Sequence, residues 1–427
     1  TYSFNFRQSI VEKNKRKAYP QLKYVFSTKA FKNSLSVEGI IRDSYEKEVD
    51  KFVNVMLYEV DEKYNDSVIY KQTPRYITNT LDSLKTFKLE NIKAGQYKLV
   101  ALKEKSSNYK FDPNKDKIGF YNQTITVPDK SIFELELFKE EAVFKTKKPT
   151  QASGNRVLIA YEGNTKNLKI DAQQNANTLK TRITKFQDKD SVQVWFAPIK
   201  NDSIQFNIEN GKYKKDYMVK MKDQRQDTLK FSPKQNGILN FKENFTITAS
   251  TPLDKFDLTK MTLTKKDSSK VDFKTNYDAF NQNLEIVFTK EPEEKYKLLL
   301  LPNAIEDYLG QKNDSLKYSF STKSLSDYGN LKLNLQNVKS YPVIIELTDK
   351  TGKVLASEYT EENPTVEFLL LEPRKYSLRI IYDENKNKLR DTGNYLEKKQ
   401  PEEVVHFPTD IDVRANWDVD SVFDVSK

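Results

Sequence analysis

The side chains best placed to do chemistry are oxygen donors in a loop. Asp383, Asn385, Asn387 and Asp391 follow the pattern Asp-x-Asn-x-Asn-x-x-x-Asp. Oxygens at alternate loop positions suit Ca2+, a hard cation that takes about six to eight of them. Lys388 stands where a calcium loop wants glycine, and Asn394 where it wants a bidentate glutamate. The same spacing reads equally as an Asx-rich turn, in which Asp and Asn bond their own backbone. Both readings stay open, with calcium the one cofactor considered. The shorter Asp112/Asn114/Asp116 loop is restricted by Pro113.

Acid–base and nucleophilic chemistry find less support. Glu134 and Glu136 lie at strand spacing and share a face, but such a face is usually solvated in so polar a chain. His406 is the only histidine and there is no cysteine. Disulfides, thiolate metal sites and cysteine nucleophiles are therefore excluded within this chain, and one histidine is too few for a His-based zinc cluster. A Ser-His-Asp triad would have to use His406, whose edge-strand setting suits a packed or surface residue rather than a general base. With 11 glycines there is no phosphate-cradling loop. We expect no catalytic residue.

Two tryptophans raise a binding question. Trp195 alternates with Val194 and Phe196, which points it outward and makes it a candidate partner contact. Trp417, with Phe423 downstream in an acidic stretch, is the second candidate. Packing at a seam between domains is the alternative for both.

A net charge of +10 hints at nucleic acid, but only 11 of the 71 basic residues are Arg and the lysines are scattered among acids. Phosphate and base recognition favour clustered Arg, so no nucleic-acid partner is expected. The densest basic run, Lys13 to Lys17, reads as a solvated loop.

The elements that must position these residues are strands. Leu22/Tyr24/Phe26, Val53/Val55/Leu57, Val192/Val194/Phe196 and Leu284/Ile286/Phe288 alternate with polar neighbours. Period two with one wet face means antiparallel sheets, and the 25 Phe and 24 Tyr supply thin cores. The fold class is all-β, a tandem of β-sandwiches of about 100 residues each. Residues 171–183 are the one stretch where a short helix is expected. No apolar run reaches transmembrane length.

An internal repeat sets the domain map. Leu22-Lys23-Tyr24-Val25-Phe26-Ser27-Thr28-Lys29 returns as Leu316-Lys317-Tyr318-Ser319-Phe320-Ser321-Thr322-Lys323. Ile92 to Leu99 corresponds to Leu371 to Leu378, each followed by an Asp/Asn-rich loop. We expect the end of a sandwich at 1–33, a second domain at 34–143, a third at 144–233, a fourth at 234–325, and a copy of the second at 326–427. Linkers fall at Ser34, Lys145–Ser153, Ser232–Lys234 and Ser324–Tyr328, short enough for a semi-rigid rod or arc. The chain opens mid-pattern on Tyr2-Phe4-Phe6, so a preceding segment with a signal peptide or lipid-bearing cysteine is expected.

Phe245-Thr246-Ile247, Pro252-Leu253-Asp254, Tyr296-Lys297-Leu298, Ala304 to Gly310 and Tyr318 to Thr322 resemble the bacterial Ig-like domain of the SbsA type. Val37 to Asp43 with Ala94 to Leu99 resembles carboxypeptidase-regulatory-like (transthyretin-like) modules. The order of modules resembles Ig-like surface lipoproteins of Bacteroidota. Asp-Ser/Thr-aliphatic tripeptides place hydroxyls at Ser67, Ser83, Ser191, Ser203, Thr228, Ser315 and Ser421. They resemble the O-glycosylation motif of exported Bacteroidota proteins, and they also suit turns just before strands. The resemblance implies a non-catalytic outer-membrane protein at the cell surface. It implies membrane attachment through a lipid anchor outside this chain, and outer-membrane or envelope proteins as partners. Such a protein would be a structural or interaction subunit of an envelope complex, for example one that assembles or exports outer-membrane proteins. A glycan-binding adhesin and an accessory region of an enzyme are the alternatives.

Overall fold

The computed structural model describes residues 2–6, 10–14, 23–26, 28, 34–80, 85–187, 189–199 and 202–426. Nearly all regular structure is strand, as the two-residue alternation requires. Among the described residues no helix is long and apolar enough to cross a membrane.

Residues 35–137 form a sandwich. One sheet runs Ile132–Leu137, Leu35–Asp43, Thr86–Ile92, with its first two strands parallel. The other runs Tyr76–Asn79, Asn54–Glu59, Gly95–Lys103, Lys117–Phe120, and Ile125–Val127 also pairs with Gly95–Lys103. Val37, Ile41, Val55, Leu57, Leu99 and Leu135 close the core between them.

Residues 329–424 repeat this topology strand for strand. Gly329–Gln336 lies between Thr365–Leu371 and a parallel Asp418–Asp424. The facing sheet runs Val354–Thr360, Val343–Thr348, Arg374–Tyr382, Val404–His406, with Ile411–Val413 again on the long third strand. Both copies bulge near the start of the shared central strand. In both, a buried tyrosine hydroxyl donates back four residues: Tyr97 to the Lys93 carbonyl at 2.9 Å and Tyr376 to that of Glu372 at 2.8 Å.

Two sandwiches lie between these copies. The first packs Val157, Ile159, Val192, Val194 and Phe206 between its sheets. The second centres on Phe245 and Phe320, stacked at 4.2 Å. The helix expected over 171–183 is not formed. Leu168–Gln174 and Asn177–Thr178 are strands joined by Asn175 and Ala176, both at positive φ. That turn twists with the strands it joins, and it buries Ile170 and Ala172 on one face. Two expected linkers are also strands. Lys145–Thr146 and Thr150–Ser153 pair with Arg156–Glu162, and Phe231–Pro233 pairs with Phe245–Ala249 as an edge strand, where proline is tolerated. Near the start, Tyr2–Asn5 pairs with Lys23–Phe26.

The two middle sandwiches meet each other, and the second of them meets the last. Lys185 N–H donates to the Phe280 carbonyl at 2.7 Å, and Arg182 pairs with Asp254 at 3.0 Å. Phe241 meets Tyr328 edge-on at 6.0 Å. The last sandwich then packs against the 35–137 sandwich. The expected rod or arc thus closes into a circuit.

Candidate interaction site

The seam that closes the circuit is built around Arg379. It sits on the interior strand Arg374–Tyr382 with only 2% of its surface exposed. A buried guanidinium is costly unless its donors and charge are satisfied. Its Nε donates to Glu346 Oε2 at 2.7 Å from the adjacent strand. Its Nη1 donates to the Tyr45 carbonyl at 3.0 Å, and its plane stacks 3.6 Å from the Tyr45 ring centre. The Tyr45 hydroxyl donates to the same Glu346 oxygen at 3.1 Å. Tyr45 lies just past the Leu35–Asp43 strand, where Asp43 Oδ1 accepts from the Tyr45 and Glu46 amides and fixes the turn. Arg390 adds a second cation 4.5 Å from the same ring and donates to Ser44 Oγ at 2.8 Å. Burial pushes the Tyr45 phenol up and the Arg390 guanidinium down from their ordinary values.

The other half of the seam is apolar. Tyr395 is buried edge-on against Phe120, ring centres 5.1 Å apart. Its amide donates to Glu140 Oε1 at 2.6 Å. Burial raises both the Tyr395 phenol and the Glu140 carboxyl, so each is harder to ionise. Gln400 Nε2 donates to the Phe120 carbonyl and to Asn122 Oδ1, both at 3.0 Å. Gly393 lets the chains approach: a Cβ there would fall 2.7 Å from Phe138 Cζ and 2.7 Å from the Lys399 oxygen.

Two clefts flank the seam. One, of about 710 Å3, is lined by Lys47, Asp50, Lys117, Arg379, His406 and Asp410 among others. Its charges alternate in sign. Burial, Arg379 and Lys47 hold the His406 imidazole down at about 4, so it is neutral at pH 7. The other cleft, of about 390 Å3, is lined by Tyr121, Asn122, Gln123, Glu134, Glu136 and Gln400. Glu134 is paired with Arg42. Glu136 is raised by burial and by Glu134.

The structure places the sequence candidates elsewhere or in quieter roles. Trp195, expected to face outward, is fully buried: its Nε1 donates to Thr184 Oγ1 at 2.9 Å and Arg156 lies 4.9 Å over its ring. Its strand has neighbours on both sides, and the adjacent Gln193 reaches Gln282 of the next sandwich, so this face is a seam. Trp417 is 56% exposed, with Arg414 5.2 Å from its ring centre.

Asp383 accepts from the Asn387 and Lys388 amides, and Asp391 from the Asn385 and Asn387 side chains. The donor oxygens thus serve the loop itself, an Asx-turn geometry. Among the described residues no group of three or more His, Asp or Glu is arranged for a metal ion.

Thr228 and Ser315 are exposed, Ser191 and Ser203 open strands, and Ser421 lies inside one. Ser67 precedes the helical turn Val68–Lys71, not the expected strand. Ser83 lies outside the described residues.

Sequence reasoning passed over Tyr45, Arg379 and Tyr395. The available signal was arginine itself. In a lysine-rich chain, Arg374, Arg379 and Arg390 crowd into one short stretch, and guanidinium is the cation that tolerates burial and stacking.

No family model matches the chain and no curated protein matches it. Solved structures similar to it include the Bacteroides ovatus mixed-linkage glucan utilization locus SGBP-B in complex with mixed-linkage heptasaccharide. That match has 10% identity, covers 91% of this chain and 96% of that one, and has a TM-score of 0.19. The N-terminal Ig1-2 module of Drosophila receptor protein tyrosine phosphatase DLAR has 14% identity over 43% of this chain and 100% of that one, at a TM-score of 0.16. The chicken CNTN1 FN1-FN3 domains have 9% identity over 64% and 99%, at 0.15. Superpositions this loose carry no argument about what the chain does.

Proposed function

We propose that this chain is a non-catalytic, cell-surface structural and protein-interaction subunit of an envelope complex, attached to the outer membrane through a lipid anchor outside this chain. The observation that carries this reading is the Tyr45–Arg379–Glu346 seam. It clamps two copies of one sandwich together across most of the chain's length. Its buried titratable groups act as braces: Arg379 holds a carbonyl and a ring, and Glu140 holds an amide. A braced body presents its edge strands and loops in fixed positions, which lowers the ordering cost of binding a protein partner.

Gentle detergent pull-down of tagged full-length protein from the native outer membrane, with mass spectrometry, tests it. A stoichiometric set of envelope proteins is expected, and recovery of the bait alone would overturn the reading.

A second reading, glycan binding, has one observation in its favour. The smaller cleft gathers Asn122, Gln123, Glu136 and Gln400 around Tyr121, groups that suit sugar hydroxyls. Polysaccharide binding abolished by Glu136→Ala, with Tyr121 intact, would favour it over the first.

A further inference from the structure

Two edge strands of opposite charge stand open on different sandwiches. Asp418–Asp424 pairs on one side with Gly329–Gln336 and on the other with no described strand. Tyr213–Lys220 pairs only with Ser203–Asn210. An open edge offers a row of unpaired backbone donors and acceptors. The solvent face of the first carries Asp418, Asp420 and Val422, the last 51% exposed. That of the second carries Lys214, Asp216, Met218 and Lys220, with Met218 57% exposed and Lys222 just beyond.

We propose that a second copy of this chain docks by edge-to-edge strand addition, its Tyr213–Lys220 strand joining the Asp418–Asp424 strand of the first. The antiparallel register that sets Val422 opposite Met218 also sets Asp420 opposite Lys220 and Asp418 opposite Lys222. Directly opposed apolar and opposite-charge pairs are the units that stabilise a sheet. The like-charged pair it creates, Asp424 with Asp216, falls at the end of the acidic strand, where Asn337 already donates to Asp424 at 2.8 Å. Among the described residues no ion pair engages Asp420 or Lys220, so both charges are available. The other acidic edge, Ile132–Leu137, has Glu134 committed to Arg42. Like charges keep the Asp418–Asp424 edge from pairing with itself, which leaves it the complementary pairing. Joining two different edges is a head-to-tail contact, so it propagates into a ring or a filament.

The inference rests on the protein-interaction reading above and specifies one partner. Sedimentation velocity of the intact chain over a concentration series tests it. Concentration-dependent assembly is expected at about 0.05 M salt and its loss at about 0.5 M, because exposed charges are screened. Asp420→Lys alone and Lys220→Glu alone are each expected to sediment as monomers. Mixed in equal amounts they are expected to assemble again, since every contact then joins a lysine to an acid. A wild-type chain that stays monomeric at every salt, or variants that assemble as it does, would overturn the proposal. A monomer that still retrieves envelope proteins in the pull-down would leave the broader reading standing and remove only this one.

Discussion

The Tyr45 carbonyl accepts a hydrogen bond from Arg379 Nη1 at 3.0 Å while the ring of the same tyrosine lies 3.6 Å from the guanidinium centre. One residue thus meets the buried cation with two different surfaces. Glu346 completes the set, taking Arg379 Nε at 2.7 Å and the Tyr45 hydroxyl at 3.1 Å. Removing the arginine leaves the Glu346 carboxylate without its cation and the Tyr45 carbonyl without that donor. Arg379→Ala is therefore expected to cost about 3–5 kcal/mol in urea unfolding. Arg379→Lys is expected to recover little of it, because an ammonium has neither the fork nor the stacking plane. A loss below about 1 kcal/mol would show that the seam is not formed in solution.

The apolar half answers to a smaller change. Gly393→Ala puts a methyl group into Phe138 Cζ and the Lys399 oxygen, both 2.7 Å away. Forced overpacking of this kind costs about 1–3 kcal/mol. Amide exchange is expected to speed up around Phe138 and Tyr395 while the sandwich cores keep their protection. Unchanged exchange there would mean that the two copies part freely.

The single histidine gives a pH signature. Its folded pKa is lowered to about 4 from 6.5, first by burial, then by Arg379 and Lys47, with Asp43 and the Tyr45 backbone pulling the other way. Between those values the unfolded chain binds the extra proton, so stability falls as pH drops from 6.5 to 4. The full shift would be worth about 3 kcal/mol, and the partly exposed ring is expected to deliver less. Glu140 and Glu402 are raised by burial, so they lose stability as pH climbs through their own range and oppose this slope. His406→Asn isolates the histidine contribution. Unfolding free energies across pH 4 to 6.5 should flatten in that variant, and an unchanged slope would refute the assignment.

Fluorescence separates the two tryptophans. Trp195 has its Nε1 on Thr184 and no exposed surface, whereas Trp417 is 56% exposed. A Trp417→Phe chain is expected to emit at short wavelength and resist acrylamide, and a Trp195→Phe chain to do the reverse. Trp195→Ala is expected to cost about 3–5 kcal/mol, and Trp417→Ala less than about 0.5.

Strand periodicity made the all-β class legible, because a half-buried sheet writes its own period into the chain. The same rule misplaced Trp195. Alternation says which residues share a face, and it is silent on whether a second sandwich covers the other face, as Gln282 and its neighbours do here. The 171–183 stretch misled for a local reason: Gln, Asn and Ala tolerate helix, and only the pairing of Leu168–Gln174 with Ser203–Asn210 decides for strand. The seam was illegible because Tyr45 and Glu346 stand 301 residues apart. No local pattern reports a contact of that span.

The closing contact also fixes an order of events during synthesis. Glu140 leaves the ribosome 255 residues ahead of Tyr395, the residue whose amide it will hold. At about 5–20 residues per second that gap lasts roughly 10–50 s. Through it the first copy has its own core complete but Phe120 and Phe138 uncovered on one side. A chaperone, or a neighbouring nascent chain, has that interval in which to occupy the place that Tyr395 will take.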